Sequence, residues 1–222
     1  EANTPAVCIV AKSSEYQVVE ALQTTLDEGA AMIADSVAFL KGEGRQVLVD
    51  LEHFFDGYRE NPEFSLRAIE AAVVNGATHL VLCDTNGGML PHGMFEIVTD
   101  VKERSGVRLG IHCQDDTACA VANTIAAVEA GATHVQCTAN GYGERTGNAD
   151  LFAVVGNLEM KLDMRVLPEG KLHELVRVSH AIADIAPVYR LRRERLREVV
   201  TARLAATEPA AWGDPVRGGE LA

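Results

Sequence analysis

Apolar runs and amphipathic segments alternate along the chain, joined by short turns that contain glycine. Five apolar runs predict strands at residues 5–11, 46–51, 79–84, 107–113 and 134–139. Apolar residues recur every three to four positions in the segments between them, which predicts helices at about 15–40, 61–75, 91–106, 117–130, 148–162 and 169–185. Because the strands are apolar throughout rather than alternating, we expect both of their faces to be covered, as in a parallel α/β sheet.

An internal repeat supports this arrangement of βα units. The stretch AAVVNGATH at 71–79 recurs as AAVEAGATH at 126–134, with seven of nine positions identical. A repeated helix end, glycine turn and strand start favours a TIM (β/α)8 barrel over a Rossmann sheet, and no GxGxxG loop follows any strand. Five strands do not close such a barrel. They are interpreted either as an open sheet or as strands four to eight, the C-terminal five βα units of a TIM barrel that is incomplete at the N-terminus.

Composition distinguishes a C-terminal tail from the partial barrel, and it also argues against some classes of protein. Residues 1–186 carry the βα pattern, whereas 187–222 predict a divergent charged helix followed by a flexible segment rich in glycine and proline. The net charge of -12 argues against a nucleic-acid partner. No apolar run approaches the ~18 residues of a membrane span, and there is no signal segment. Five cysteines without a CxxC pair are typical of reduced thiols in a cytoplasmic protein.

Polar residues cluster after the strands, at the edge where parallel α/β folds place their active sites. GIHCQDD at 110–116 and the loop NGYGERTGN at 140–148 give the strongest signals. His112 and Gln114 are two residues apart in a strand and therefore point to the same face. Asn148 closes the loop after the next strand. His112 and Gln114, with the Glu, Arg and Asn residues of this loop closing over the same space, indicate a way to build a divalent metal site from neighbouring strands.

Structural interpretations of the same residues remain open. His112 alone is compatible with a hydrogen-bonded core histidine, and DTNGG at 84–88 with a turn and helix cap. Glu52 is equally compatible with a plain ion pair to a Lys or Arg at a strand end. The Asp115–Asp116 pair fits a cap for the following helix. The three glycines of the 140–148 loop predict a close approach of its backbone to a ligand.

Together these stretches resemble the α-acylmalate synthases, a family of metal-dependent barrel acyltransferases. The resemblance is strongest to the citramalate synthase type, then to isopropylmalate and homocitrate synthases, and the superfamily includes hydroxymethylglutaryl-CoA lyase. It covers residues 1–186 and is carried by NTP at 3–5, DLEHFFDGY at 50–58, LCDTNGG at 82–88, GIHCQDD at 110–116 and NGYGERTGNAD at 140–150.

The resemblance implies an enzyme that condenses acetyl-CoA, as co-substrate, with a 2-oxo acid. With pyruvate the product is citramalate, a step of branched-chain amino-acid biosynthesis, and the full-length family is expected to form homodimers. The implied cofactor is divalent Mg, Mn or Zn. The implied roles follow by position: catalytic Glu52 near the acetyl group; substrate-binding Thr85, Asp84 and Glu144; and metal-binding His112, Gln114 and Asn148.

Three departures from the family pattern weaken the implied site. The family has His-x-His where this chain has His112 and Gln114, and an amide oxygen is a weaker ligand than imidazole. The family's first-strand Asp-x-x-x-Arg-Asp motif, which supplies a metal-binding Asp, has no counterpart. The regulatory region after the barrel, with its catalytic His, has none either. We therefore expect a synthase fragment that is inactive alone. The alternatives are a non-catalytic barrel remnant and a retro-aldol lyase of the same superfamily.

Overall fold

The structure is a computed structural model and describes residues 3–186. One compact unit of the chain ends at Leu172 and a second begins at His173. The charged helix and flexible tail predicted at 187–222 lie outside the described residues. Within residues 3–186, no helix has the length and apolar character needed to cross a membrane.

A single parallel sheet organises the first unit. Its strands follow one another in chain order: β1 (Ala6–Lys12), β2 (Gln46–Glu52), β3 (His79–Asp84), β4 (Leu109–Cys113) and β5 (His134–Gln136). Helices lie between successive strands, as expected of βα units: α1 (Leu26–Gly42), α2 (Phe54–Glu60), α3 (Pro62–Val74), α4 (Pro91–Ser105) and α5 (Ala120–Glu129). Helix α6 (Leu151–Lys161) follows β5. The second unit contains α7 (Leu175–Ile185). The α/β fold class and parallel sheet predicted from the sequence are confirmed.

The predicted helix over residues 15–40 was wrong, because the chain breaks between two helical pieces. Gln17–Ala21 forms one turn of π-helix, Gln23 adopts a left-handed conformation with φ 54°, and α1 then begins at Leu26. The side chain of Thr25 caps α1 by accepting a hydrogen bond from the Glu28 amide at 3.2 Å. Thr25 and Glu28 have the spacing of a capping box, a start signal that the apolar periodicity hid.

Other differences lie at element ends and have local causes. Sequence periodicity missed α2, which begins directly after β2 at Phe54. Helix α5 begins at Ala120 rather than Thr117, since the Asp115 carboxylate accepts a hydrogen bond from the Ala120 amide at 2.9 Å. Helix α6 begins at Leu151 because Asp150 is its cap. Strands β4 and β5 are shorter than predicted.

The two faces of the sheet differ in burial: one packs against the helices, and the other carries the polar residues of the candidate site. On β2, Val47, Val49 and Leu51 are fully buried toward the helices. Asp50 and Glu52 alternate with them and so point to the opposite, concave face. On β1 the concave-face residue Val10 is 66% exposed. This face is therefore open to solvent at β1, whereas Cys83 of β3, which lines the same cleft, is buried.

The sequence repeat is also a structural repeat. Gly76 and Gly131 occupy the same position in the two copies and share a φ of 103°, a left-handed conformation that glycine adopts without strain. Each glycine precedes a strand that begins with histidine, and the rings of His79 and His134 lie 5.7 Å apart. Because β3 and β5 flank β4, the repeat places equivalent residues two strands apart in the sheet.

Candidate functional site

The carboxyl ends of the parallel strands open into a cleft of about 170 Å³. Its lining includes five of the seven residues predicted to form the site: Glu52, Thr85, His112, Gln114 and Glu144. Val10, Asp50 and Cys83 complete the lining. Asp84 and Asn148 are not part of it. The strand-end reasoning therefore brings most of the predicted residues together, although the side chains play different roles from one another.

Gln114 and Asn148 are neighbours, as the metal-site prediction requires. They form an isolated antiparallel bridge between the end of β4 and the end of the 140–148 loop. The Gln114 Nε2 donates a hydrogen bond to the Glu144 carboxylate at 3.1 Å, and the Asn148 Nδ2 donates to the Tyr142 carbonyl at 3.3 Å. Since only the NH2 end of an amide can donate, these bonds fix the orientation of both side chains.

The other ends of these amides are buried without a partner. The Oε1 of Gln114 and the Oδ1 of Asn148 have no hydrogen-bond partner among the described residues. A buried acceptor that stays unpaired costs about 1–3 kcal/mol, so its presence indicates that a water molecule or an ion pairs with it. Each of these oxygens is of a type that divalent cations accept as ligands. This pair of oxygens is the observation by which the site fits a metal.

His112 supplies a nitrogen ligand on the strand that leads to Gln114. Burial lowers the pKa of the His112 imidazole below its usual value, although the Asp50 carboxylate opposes the shift. The ring is therefore neutral at pH 7, which is the form that binds metals. Within residues 3–186, no three His, Cys, Asp or Glu side chains are grouped to hold a metal ion. The candidate ligand set is accordingly one imidazole and two amide oxygens.

Glu52 lies at the rim of the cleft and forms an ion pair, which was one of the two interpretations that the sequence allowed. The Lys12 ammonium at the end of β1 contacts the Glu52 carboxylate. The register of β1 and β2 makes the two residues direct partners. Both side chains are 28% exposed, so the pair is accessible from the cleft rather than locked in the core. Lys12 was not predicted as a site residue; its signal was a charge at the last position of an apolar strand.

Thr85 and Asp84 face different surroundings. The Thr85 hydroxyl lines the cleft and accepts a hydrogen bond from the His53 amide at 2.8 Å. The Asp84 carboxylate turns away and accepts hydrogen bonds from the Gly88 and Met89 amides, both at 3.2 Å. The turn interpretation of DTNGG therefore describes Asp84, and the structure does not bring its predicted substrate-binding side chain to the cleft.

Asp84 carries a testable pH effect. Burial raises its pKa to about 6, although the amides of Met89 and Gly88 favour the ionised form. Because this folded-state value lies above the unfolded value of about 4, the group's contribution to stability is complete below pH 4 and is lost as pH rises to about 6. We expect Asp84→Asn to raise the free energy of unfolding at pH 7 by about 1 kcal/mol, once the lost Met89 hydrogen bond is counted.

Urea unfolding of wild type and Asp84→Asn at intervals from pH 4 to pH 7 checks this expectation. The difference in unfolding free energy should grow between pH 4 and pH 6 and then stay constant. Asp35→Asn, the same change at an exposed position of α1, is the matched control and should show no such growth. A variant less stable than wild type at pH 7, with an unchanged pH profile, would contradict the expectation.

The 140–148 loop is held by contacts of its own residues. The Arg145 guanidinium bonds the Asp116 carboxylate at 2.9 and 3.0 Å and the Thr85 carbonyl at 2.6 Å. A Cβ added at Gly147 would lie 2.2 Å from the Gly141 carbonyl oxygen, and one at Gly143 would lie 2.4 Å from the Asn148 Nδ2. The glycines therefore allow the loop to pack on itself and on a candidate ligand residue, and the predicted approach of its backbone to a ligand stays a prediction.

Comparisons with known sequences identify relatives of this chain. The (R)-citramalate synthase of Streptomyces coelicolor is 61% identical over 179 residues, which cover 81% of this chain and 34% of the relative. The (R)-citramalate synthase of Aquifex aeolicus is 48% identical over 186 residues, which cover 83% of this chain and 35% of the relative. The 2-isopropylmalate synthase of Geobacillus sp. is 33% identical over 190 residues, covering 83% and 36%. The chain thus spans about a third of the length of these curated relatives.

Solved structures and a family match complete the comparison. The HMG-CoA lyase of Bacillus subtilis superposes with a TM-score of 0.69 at 22% identity, covering 81% of this chain and 63% of the lyase. That of Pseudomonas aeruginosa gives 0.68 at 18% identity, covering 82% and 63%. At such identities the likeness shows the fold alone, that of TIM-barrel proteins. The HMGL-like family matches residues 1–182, and the chain belongs to this family.

Proposed function

We propose that this chain forms the metal- and 2-oxo-acid-binding edge of a citramalate-synthase-type acyltransferase, which condenses acetyl-CoA with pyruvate. The observation that carries the proposal is the pair of buried, unpaired amide oxygens of Gln114 and Asn148, which lie at the end of the strand that carries His112. The 61% identity to a relative named (R)-citramalate synthase supports the choice of substrates.

The described residues suggest a division of labour. His112, Gln114 and Asn148 would hold a divalent cation, which when bound polarises the carbonyl of a 2-oxo acid. Thr85 presents its hydroxyl to the same cleft and is suited to bind the carboxylate of that acid. Glu52 is the candidate base for the methyl proton of the acetyl thioester, and Lys12 holds its carboxylate at the rim. Glu144 acts on the site through Gln114, whose amide it orients.

The isolated chain is expected to be inactive. Its cleft is open to solvent at β1, where the lining residue Val10 is 66% exposed. Condensation of an enolate needs a site that excludes water, because every electrostatic contact weakens in contact with solvent. The Gln114 amide oxygen also binds zinc less tightly than the imidazole of the family pattern does. A cytoplasmic location and a homodimeric whole protein stay predictions, as does the division at residue 186.

A chimera tests the proposed reaction. In it, this chain replaces the matching segment of the Streptomyces coelicolor (R)-citramalate synthase, with which it shares 61% identity. We expect the chimera to form citramalate from acetyl-CoA and pyruvate in the presence of Mg²⁺, Mn²⁺ or Zn²⁺, and Glu52→Gln to lower kcat by about 100-fold or more, as loss of a general base does. Product is measured by chromatography together with release of free CoA.

The control and the contrary outcome are specific to this chain. Glu129→Gln makes the same chemical change at an exposed position near the end of α5 and should leave kcat unchanged. A folded chimera without turnover would count against the synthase proposal, as would full activity of Glu52→Gln. The retro-aldol lyase stays an alternative hypothesis that rests on fold likeness, and the non-catalytic remnant would be favoured by an inactive, folded chimera.

A further inference from the structure

One charged residue in the cleft has no part in the proposed reaction. Asp50 lies on the concave face of β2 and lines the same cleft as His112. Its Oδ1 accepts a hydrogen bond from the Gln136 Nε2 at 2.9 Å and another from the Cys8 Sγ at 3.2 Å. The Gln136 side chain reaches it from β5, across β3 and β4. A contact that spans the sheet in this way is not needed for strand register, which the backbone ladders already set.

Gln136, which contacts this carboxylate, lies directly beside His112 in the sheet. In the ladder between β4 and β5, Gln136 is the register partner of His112, so their side chains stand side by side on the concave face. Because the Gln136 NH2 end is committed to the Asp50 carboxylate, its carbonyl oxygen is the end left for the ring, and a carbonyl oxygen can only accept.

The direction of these bonds determines which ring nitrogen of His112 carries the hydrogen. The nitrogen that faces Gln136 must donate, so in the neutral ring the other nitrogen keeps its lone pair. A histidine that binds a metal commonly donates its second nitrogen to a carboxylate or carbonyl partner, which fixes both the tautomer and the orientation of the ring. The chain from Asp50 through Gln136 to His112 has this form, with an amide inserted between carboxylate and imidazole.

We propose that Asp50 and Gln136 are positioning residues that hold His112 in the tautomer competent for metal binding. The metal-binding consequence rests on the proposed function, whereas the tautomer itself does not. Without the hydrogen bonds that lead from Asp50 through Gln136 to His112, here called the relay, the imidazole ring should sample both tautomers and more than one orientation. The expected effect on metal affinity is about 10–100-fold, the range typical of partners that orient a ligand.

Two measurements on the full chain test the proposal. Long-range ¹H–¹⁵N NMR of the histidine rings reports the tautomer, and the loss of a signal in His112→Ala assigns it. We expect one tautomer of His112 in the wild type and a mixture in Gln136→Leu, which keeps the approximate size of the side chain but cannot form either bond. Competition with a chromophoric chelator then measures Zn²⁺ affinity, which should fall about 10–100-fold in Gln136→Leu.

A paired variant separates positioning from simple structural damage. In Asp50→Asn/Gln136→Glu the new amide can donate to the new carboxylate, and that carboxylate can accept from His112, so the order of donors and acceptors is restored. We expect this double variant to recover the single tautomer and most of the Zn²⁺ affinity, whereas Gln136→Glu alone, with two adjacent carboxylates, recovers less. Circular dichroism should show the wild-type fold for each variant.

The outcomes distinguish the two proposals. An unchanged tautomer of His112 in Gln136→Leu would overturn the positioning role, whatever the metal data show. Unchanged Zn²⁺ affinity in a Gln136→Leu chain with mixed tautomers would overturn the claim that the relay serves metal binding. A wild-type chain that holds one tautomer yet binds no Zn²⁺ would count against the proposed function while leaving the tautomer role supported.

Discussion

Gly57→Ala is expected to lower the free energy of unfolding by about 3 kcal/mol, the upper end of the usual cost of overpacking. Gly57 is buried in α2, where a Cβ would lie 2.6 Å from the Cα of Ser14 and 2.8 Å from the carbonyl oxygen of Ser13. Both contacts are with backbone, which cannot move aside as a flexible side chain would. The added methyl group must therefore separate α2 from the segment that follows β1.

Because the segment after β1 is hydrogen-bonded to residues of the candidate site, Gly57→Ala should also change the geometry of the cleft. Ser13 donates from its hydroxyl to the Glu52 carbonyl at 2.9 Å, and the Ser65 hydroxyl donates to the Ser13 carbonyl at 2.8 Å. Lys12, which pairs with Glu52, directly precedes Ser13. Displacement of this segment shifts the ammonium group that holds the candidate catalytic carboxylate. The methyl group added in α2 is therefore expected to change the position of the Glu52 carboxylate at the rim of the cleft.

Urea unfolding followed by circular dichroism measures the effect, with Gly156→Ala as the matched control. Gly156 lies within α6, and a Cβ there meets nothing within 4 Å. The same substitution should stabilise the chain by up to about 1 kcal/mol, because alanine has the higher helix propensity. A free energy of unfolding for Gly57→Ala within about 0.5 kcal/mol of the wild-type value would contradict the close contact between α2 and the segment after β1.

The order of strands and helices was predictable because each βα unit repeats one physical pattern. Fully buried parallel strands are apolar on both faces, and glycine marks the turn before β3 and β5. Strand β3 was predicted to the residue, since Gly76 precedes it and the polar DTNGG turn follows. Periodicity failed where a short helix follows a strand without an intervening turn signal, as at Phe54, and where a polar cap interrupts a long amphipathic run, as at Thr25.

The residues of the site were predictable by position, but their individual contacts were not. Strand ends in a parallel sheet share one edge, which is why Glu52, His112 and Gln114 line one cleft. Whether a polar side chain at such an end faces the cleft or its own turn depends on the local backbone. Asp84 satisfies two amides of its own turn, whereas the next residue, Thr85, faces the cleft. Likewise, only the fold brings Gln136 and Asp50, 86 residues apart in sequence, into contact.

Gln114→His is expected to raise the affinity of the chain for Zn²⁺ by about tenfold or more, because imidazole suits zinc better than an amide oxygen does. Mg²⁺ prefers oxygen ligands, so its affinity should not rise. The opposite responses of the two ions distinguish direct ligation from a general change in the cleft. The Glu144 carboxylate, which now accepts from the Gln114 amide at 3.1 Å, is suited to accept from the new imidazole as well.

His112→Ala gives the complementary result, a fall in Zn²⁺ affinity of about 100-fold or more, because it removes the only nitrogen among the three candidate ligands of the described site. His92→Ala is the matched control, since the His92 side chain is 87% exposed in α4 and should not affect binding. Competition with a chromophoric chelator measures both ions. Zn²⁺ affinity that is equal in wild type, Gln114→His and His112→Ala would show that zinc binds elsewhere. The unpaired oxygens of Gln114 and Asn148 would then require another occupant, such as ordered water.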